Sequence, residues 1–228
     1  MRYPGGKGGC FRNIVNLMPH HRVYIESHLG GGAVLRNKQP VEHSIGIDAD
    51  SEVVRTWADH DLPNTQILEG DAIAFLSGYD YRGDELVYCD PPYPVSTRRK
   101  ARIYRRDYST EDHLQLLEVI TKLPCMVMIS SYSNPIYEDV LRDWEKITFN
   151  AATHSGIREE SVWINFPMPE APYDTRYLGA DFRQREALRR RHSRLADKIM
   201  RMPLAERHLL WSWAAEQYSN EIQEAVRG

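Results

Sequence analysis

A carboxylate, two prolines and an aromatic ring stand side by side in the stretch Asp90-Pro91-Pro92-Tyr93, directly after an apolar run. Proline has no backbone N–H, so the pair ends strand pairing at once and leaves nearby carbonyl oxygens without a partner in a sheet. A fixed carboxylate and a fixed carbonyl are two acceptors that can hold a donor group in a set position. This stretch is therefore the first candidate for a catalytic centre.

Three more acids, Glu26, Asp48 and Asp71, end apolar runs in the same way. Asp48 lies 22 positions after Glu26, about where a dinucleotide-type fold places an acid on ribose hydroxyls. A helix cap at Asp48 or Asp50 is the structural alternative. Capping alone explains poorly why four successive runs end in acids, so we expect these side chains to meet in one ligand site.

Glycines follow the first of these acids in the stretch Glu26-Ser27-His28-Leu29-Gly30-Gly31-Gly32. Glycine lets a backbone approach a ligand closely, although a glycine-rich turn is also found as a simple tight turn. Gly30, Gly31 and Gly32 therefore leave two interpretations open, a ligand-binding loop and a tight turn.

The elements that must position these residues are short apolar runs alternating with helical segments. The predicted strands are 23–26, 44–48, 65–68, 86–89 and 125–129, and the predicted helices are 33–37, 51–58 and 110–122. Alternation of this kind predicts an α/β fold with a doubly wound, Rossmann-like, mostly parallel sheet. In such a sheet, ligands bind beyond the carboxyl ends of the strands, where all four acids fall.

The end of the chain differs from this pattern. Runs 146–149 and 161–166 predict an antiparallel hairpin at the edge of the sheet, joined through residues 150–160. Residues 1–173 are predicted to form the main domain. Residues 174–228 are predicted to form an arginine-rich helical extension, broken at Met202-Pro203 because proline suits the first turn of a helix.

Composition excludes several classes of protein. With 228 residues, of which 42% are hydrophobic and 27% charged, the chain can bury one sizeable core. No apolar run approaches the roughly 20 residues of a membrane helix, and the first residues lack the apolar stretch of a signal peptide. Three widely spaced cysteines with no C-x-x-C pair argue against a disulfide framework and a zinc site. We expect a cytoplasmic protein without a membrane segment, a monomer or a weak dimer.

Arginine is concentrated in two segments, although the net charge is only −3. The first directly follows the Asp90 motif and mixes tyrosines 104 and 108 with cations, as nucleic-acid contacts do. Its cations are Arg98, Arg99, Lys100, Arg102, Arg105 and Arg106. The second lies in the tail, where a docked amphipathic helix with a solvated basic face and a second DNA-binding surface remain equally open.

Five stretches occur in an order that resembles the DNA adenine methylase family, the S-adenosylmethionine-dependent adenine-N6 methyltransferases. They are Arg-Tyr-Pro-Gly-Gly-Lys at 2–7, the glycine loop, Gly-Ile-Asp-Ala-Asp at 46–50, Glu-Gly-Asp-Ala at 69–72 and Asp-Pro-Pro-Tyr at 90–93. The resemblance covers about residues 1–166. It implies S-adenosylmethionine as the cofactor, no metal, and DNA as the partner.

The resemblance also implies a role for each matching residue. Tyr3 and Lys7 would lie against the cofactor together with Glu26 and His28 of the glycine loop. Gly30 and Gly32 would pass beneath it, Asp48 would hold its ribose, and Asp71 would read its adenine. Asp90, Pro91, Pro92 and Tyr93 would form the catalytic centre.

This chain departs from the family in two places. It has Ser27-His28 where the family usually has Pro-Phe. Members with a defined recognition site also carry a long insertion before the Asp-Pro-Pro-Tyr motif, whereas here Asp71 and Asp90 are only 19 positions apart. The second departure predicts adenine methylation with little regard for neighbouring bases.

Two alternatives to a DNA adenine methyltransferase are kept. One has the same chemistry on RNA or on a protein glutamine, which is disfavoured because related enzymes with those acceptors more often have Asn before the prolines. The other is a non-catalytic nucleic-acid-binding protein with a methyltransferase fold, which the intact motifs disfavour.

Overall fold

The computed structural model describes residues 6–97, 106–153, 156–179 and 181–227. The chain divides into two compact units, the first ending at Asp174 and the second beginning at Thr175. Each unit is described by itself.

Seven strands in the described part of the first unit form one sheet, in the order β3-β2-β1-β4-β5-β7-β6. They are β1 (Val23–Glu26), β2 (His43–Asp48), β3 (Thr65–Glu69), β4 (Glu85–Cys89), β5 (Met126–Ser131), β6 (Glu145–Thr153) and β7 (Gly156–Ile164). Strands β1 to β5 pair in parallel, and β7 pairs antiparallel with β5 and β6. The predicted doubly wound sheet with an antiparallel edge hairpin is confirmed.

Helices connect the strands of the first unit and form the second. In the first unit they are α1 (Phe11–Val15), α2 (Ala33–Asn37), α3 (Ser51–Thr56), α4 (Ala72–Gly78), α5 (Thr110–Ile120) and α6 (Pro135–Val140), and in the second α7 (Phe182–Arg201), α8 (Leu204–Gln217) and α9 (Ser219–Arg227). Short 3₁₀ turns cover Lys7–Gly9, Val95–Thr97 and Thr175–Tyr177.

Burial explains why the central strands are continuous apolar runs in the sequence. Every residue of β4 is buried, and Ile25 of β1, Val87 of β4 and Val127 of β5 are fully inaccessible in one core cluster. Parallel strands covered on both faces have no solvent-facing side and therefore lack the alternation of an edge strand. The cluster holds the centre of the sheet, and with it the ends of β1 and β4, in fixed positions.

The hairpin is longer than the sequence indicated, which corrects the prediction of a connection through residues 150–160. Strand pairing continues past Phe149, opposite Glu160, to Thr153, opposite Gly156. In the outer part of the hairpin, Asn150, Gly156, Ile157 and Glu159 are exposed, Ile157 to 76%. Because most of the described side chains there are not buried, the hydrophobic period that marks a strand is missing, while backbone pairing continues.

Long helices make up the second unit. Helix α7 begins where the Asp181 carboxylate caps it by accepting from the backbone N–H of Gln184 at 2.8 Å. It ends at Arg201, which confirms the break predicted at Met202-Pro203. Helix α9 is a further element that sequence reading did not separate from α8. Within the described residues, no helix is both long and apolar enough to span a membrane.

Candidate active site

A cleft lies at the carboxyl ends of β1, β2 and β4, where the strand order turns back at β1. The predicted cofactor residues that line it are Lys7, Glu26, His28, Gly30, Gly32, Asp48 and Asp71. Asp90, Pro92 and Arg106 line it as well. The fold therefore brings residues from separate stretches of the sequence into one cleft. The other predicted residues Tyr3, Arg98, Arg99, Lys100, Arg102 and Arg105 lie outside the described residues.

The glycine loop has a backbone shape that other residues rarely adopt. Gly30 and Gly32 have φ of 46° and 52°, in the left-handed region. A Cβ added at Gly32 would lie 2.2 Å from Cζ2 of Trp57, whose indole N–H donates to the Gly30 carbonyl at 3.2 Å. Glycine at position 32 is therefore required by both the backbone angle and the packing. The result is a thin wall at the base of the cleft.

Backbone donors hold the carboxylate of Asp48 at the end of β2. Its Oδ2 accepts from the N–H of Gly30 at 2.8 Å, and its Oδ1 accepts from the N–H of Asp50 at 2.9 Å. Burial raises the pKa of Asp48, and the two backbone donors oppose that rise. Asp50 is the residue that caps α3. Asp48 is thus free of the capping role and ties the glycine loop to β2.

Asp71 has a different position from the other acids. It caps α4, and its Oδ1 accepts from the N–H of Ala74 at 2.8 Å. The side chain is exposed and lies at the rim of the cleft. At Asp71, then, helix capping and cleft lining are combined in one residue.

Glu26, the last residue of β1, is buried to 3% exposure. Its Oε2 accepts from the Tyr24 hydroxyl at 2.8 Å and from the N–H of Leu35 at 2.9 Å. Burial raises the pKa of Glu26 to about 8, despite these donors. The side chain therefore carries a proton over much of the neutral range, and it anchors α2 to the end of β1.

His28 and Tyr108 form a second wall of the cleft. The Nε2 of His28 lies 2.9 Å from the Tyr108 hydroxyl, its Nδ1 lies 2.9 Å from the Ser27 hydroxyl, and the two rings meet edge to face at 5.3 Å. Burial lowers the pKa of His28 to about 3, so the imidazole is neutral. Sequence reading placed Tyr108 with the nucleic-acid contacts and missed this position. An aromatic ring thus stands close to where the family usually has Phe.

The Asp90 carboxylate at the end of β4 belongs to a buried charged cluster. The Lys7 ammonium lies 2.7 Å from Oδ1 of Asp90, 2.7 Å from the Tyr93 hydroxyl and 3.9 Å from Oε2 of Glu160. The Tyr93 hydroxyl in turn donates to Glu160 at 2.5 Å. Lys7 is only 6% exposed. A buried cation is stable here because two carboxylates surround it.

The electrostatics of this cluster keep it charged near neutral pH. Burial lowers the pKa of Lys7, but the charges of Asp90 and Glu160 raise it, and the net effect is a rise. Burial raises the pKa of Asp90 to about 6, against the opposing charge of Lys7. Above pH 6, Asp90 is thus mainly a carboxylate, an acceptor with one oxygen already held by Lys7.

The two prolines and the tyrosine of the motif are firmly packed. Pro91 is buried, whereas Pro92 reaches the cleft. Tyr93 is 6% exposed, with the Lys7 ammonium 4.6 Å from its ring centre and the Tyr132 ring 4.7 Å away at 75°. The motif is therefore rigid before any ligand arrives.

Glu160 is the residue that sequence reading missed at this end of the cleft. It is 5% exposed and lies on β7, 67 positions after Tyr93. The local signal is its position directly before the apolar residues of the buried run 160–164, of which it is the first member. That signal was hidden because residues 150–160 were interpreted as a connection between strands.

Fold and site together define the class of this protein. The sheet is a Rossmann-like methyltransferase sheet: its strand order is 3-2-1-4-5-7-6, its strand β7 is antiparallel, and its cleft lies beyond β1, β2 and β4. Within the described residues, no group of three or more His, Cys, Asp or Glu could hold a metal ion.

Residues 53–155, which include the Asp-Pro-Pro-Tyr motif, match the family model of the D12 class N6 adenine-specific DNA methyltransferase. The resemblance drawn from the sequence motifs is confirmed by this match. No curated protein matches the sequence.

Solved structures match this chain at low identity and low TM-score. An rRNA methylase from Streptococcus thermophilus is 12% identical, with a TM-score of 0.44 over 72% of this chain and 97% of its own. A magnesium protoporphyrin IX methyltransferase from Synechocystis PCC 6803, solved with bound SAM, is 12% identical, with a TM-score of 0.43 over 68% and 74% of the two chains. Likenesses this distant carry no information about substrate.

Proposed function

We propose that this protein transfers a methyl group from S-adenosylmethionine to the exocyclic N6 amine of adenine in DNA, with little regard for neighbouring bases. One observation carries the proposal above all. The Asp90 carboxylate stands at a glycine-lined cleft with one oxygen fixed by the buried Lys7. Its second oxygen is an acceptor for a substrate N–H.

The cleft residues fit S-adenosylmethionine in chemical character. The Asp48 carboxylate suits ribose hydroxyls, since each of its oxygens accepts one backbone N–H and can accept again. The glycine loop offers close backbone approach, and the His28–Tyr108 wall offers apolar surface beside it. Lys7 contacts Asp90, so we assign it to the catalytic end of the cleft. When bound, the cofactor would supply an electrophilic methyl group.

The target amine needs help because its lone pair is delocalised into the adenine ring. Asp90 would accept one of its N–H groups, and the carbonyl of Pro91 would accept the other. This pair of acceptors favours tetrahedral geometry at the nitrogen and frees the lone pair. The rigid packing of the motif places both acceptors in advance, which is the main source of electrostatic catalysis. Positioning of two bound substrates adds most of the remaining rate.

Access to the amine requires the base to leave the duplex. Flipping costs a few kcal/mol, part of which is recovered by stacking. The cations at positions 98–106 directly follow the motif and would hold the phosphates near the flipped base. Of these, Arg106 is exposed at the cleft.

Little chain is left for base reading between Asp71 and Asp90. Helix α4 and strand β4 take up most of that step and leave residues 79–84. This short loop is fastened to the fold, because Glu85 accepts from the N–H groups of Arg82 and Gly83 at 2.7 and 2.9 Å, and the Tyr81 hydroxyl donates to the Leu76 carbonyl. Reading several bases takes an element that enters the major groove. Relaxed specificity is the consequence.

The test offers labelled S-adenosylmethionine to the pure protein with DNA, RNA and cell protein in separate reactions. We expect label in DNA alone, on adenine N6. Label in RNA or protein instead would show that the enzyme methylates that polymer and not DNA. No label in any of the three reactions would support the alternative of a non-catalytic binding protein. Long random-sequence DNA methylated to completion is then mapped by single-molecule sequencing. Modification confined to one motif of four or more bases would exclude relaxed specificity.

A further inference from the structure

Glu160 brings a second acid to the buried cation of the Asp90 cluster. Glu160 lies on β7, which pairs antiparallel with β5, and it is not part of the Asp-Pro-Pro-Tyr motif. Its Oε2 lies 3.9 Å from the Lys7 ammonium, compared with 2.7 Å for Asp90. One cation is therefore shared unequally by two carboxylates.

The Tyr93 hydroxyl connects Lys7 to Glu160. It accepts a hydrogen bond from Lys7 at 2.7 Å and donates its own proton to Glu160 at 2.5 Å. Both bonds fix the direction of the hydroxyl, and with it the ring that follows the prolines. A charged acceptor forms a stronger hydrogen bond than a neutral one. Glu160 thus holds Tyr93 more firmly than a neutral acceptor of the same shape would.

Among the described residues, few other ionised groups act on Asp90. The titratable groups coupled to it are Lys7, Cys10, Tyr24, Glu26, Tyr88, Cys89, Tyr93, Tyr137 and Glu160. Burial raises the pKa of Cys10 and that of Cys89 to about 12, the pKa of Glu26 to about 8, and the pKa of all four tyrosines, so these seven groups carry little charge at pH 7. Lys7 and Glu160 therefore set the electrostatic environment of Asp90.

We propose that Glu160 is a positioning residue for methyl transfer: it shares Lys7 with Asp90 and holds Tyr93, so that the free oxygen of Asp90 remains a strong and fixed acceptor for the target amine. This rests on the proposed function, in which Asp90 binds that amine. A carboxylate paired with a cation alone is a weaker base and a weaker acceptor. The nearby negative charge of Glu160 opposes that weakening.

The decisive variant is Glu160→Gln, which keeps the size of the side chain and an acceptor for Tyr93 but removes the charge. In the wild type, the acid limb of the kcat–pH profile should lie near pH 6, where Asp90 becomes protonated. In the variant we expect this limb to move down by roughly one pH unit, because the opposing charge is gone. We also expect kcat at pH 8 to fall roughly tenfold, with cofactor affinity unchanged, because the acceptor is weaker and less well placed.

Glu159→Gln is the matched control, since it removes the same charge from the neighbouring, exposed position of β7. Its profile should coincide with that of the wild type. Tyr93→Phe removes the hydroxyl between Lys7 and Glu160 but leaves both of their charges in place, so the acid limb should stay close to that of the wild type. If Glu160→Gln folds and leaves the limb in place, or if Glu159→Gln moves it equally, the proposal is wrong.

A substrate-free measurement separates this inference from the proposed function. The ¹³C NMR signal of the Asp90 carboxyl carbon, assigned by its loss in Asp90→Asn, is titrated in the wild type, in Glu160→Gln and in Tyr93→Phe. The midpoint should fall in Glu160→Gln, which loses a charge, and stay close to the wild-type value in Tyr93→Phe, which keeps both charges. An unchanged midpoint in Glu160→Gln would refute the charge sharing even if the protein methylates DNA. A lowered midpoint in Glu160→Gln with no methyl transfer by the wild type would refute the proposed function alone.

Discussion

The two ends of the cleft hold a carboxylate in different ways. At the end of β2, backbone N–H groups of Gly30 and Asp50 hold Asp48. At the end of β4, the charged and polar side chains of Lys7, Tyr93 and Glu160 surround Asp90. The first arrangement is built from the path of the chain, and the second from groups that gain and lose protons.

Because of this difference, the two ends of the cleft should respond to different kinds of substitution. Backbone donors cannot be exchanged by substitution, so the Asp48 end depends on the shape of the glycine loop. The Asp90 end keeps its backbone when a side chain changes, but its charge balance is altered at once. We therefore expect changes at Asp90 to affect the chemical step, and changes near Asp48 to affect binding and stability.

The largest effect is expected for Asp90→Ala, which removes the acceptor proposed for the target amine. Loss of one preorganised group typically costs about 10²–10³ in rate. Cofactor affinity, measured by calorimetry, should remain close to that of the wild type, because the cofactor residues are elsewhere in the cleft. Single-turnover methylation of DNA is the measurement. A variant that keeps a tenth of the activity would remove Asp90 from the catalytic role.

Gly32→Ala should disrupt the backbone of the glycine loop, on which the Asp48 end of the cleft depends. The left-handed φ and the clash with Trp57 together should lower the free energy of unfolding by about 2–4 kcal/mol, as measured in denaturant. Gly78→Ala is the control, since a Cβ there meets nothing within 4 Å and the position is helical. It should be neutral or stabilising, by up to about 1 kcal/mol. Equal destabilisation by both variants would mean that the left-handed backbone and close packing at Gly32 are not the cause of the effect.

Asp48→Ala should weaken cofactor binding with a smaller effect on the chemical step. Loss of hydrogen bonds to a charged group, worth about 1.5–3 kcal/mol, should raise the Kd for S-adenosylmethionine roughly ten- to hundredfold. Asp61→Ala is the matched control, because this acid is exposed and is not among the residues that line the cleft. Calorimetry that gives the same Kd for both variants would leave Asp48 as a support of the glycine loop alone.

The smallest effect is expected when Arg98 and Arg99 are both changed to Gln. If these residues meet phosphates, DNA affinity should fall similarly for all sequences, and the slope of log affinity against log salt should flatten by roughly two units. Cofactor binding should not change. The same pair of changes at Arg189 and Arg190 in the tail is the control and should matter less if α7 does not bind DNA. An unchanged slope would mean that Arg98 and Arg99 do not contact phosphates.

Much of this fold could be predicted because local signals agreed with the final structure. Buried parallel strands carry continuous apolar runs, so β1 to β5 were predicted close to their observed bounds. The start predicted for α5 at residue 110 agrees with the structure, in which Ser109 caps the helix through a capping box with Asp112. The hairpin was predicted too short, because most of the described side chains in its outer part are not buried and give no hydrophobic period.

The sequence by itself determined that the acids at the ends of successive strands reach the cleft. The carboxyl ends of parallel strands lie at one edge of the sheet, so acids that end successive apolar runs must come together there, and a Pro-Pro pair must end a strand. Only the tertiary structure decided the partners of those acids. Lys7, Glu160 and Tyr108 approach the cleft from segments distant in sequence. Burial makes their charges and hydrogen bonds strong, and no local pattern in the sequence records a contact made across the sheet.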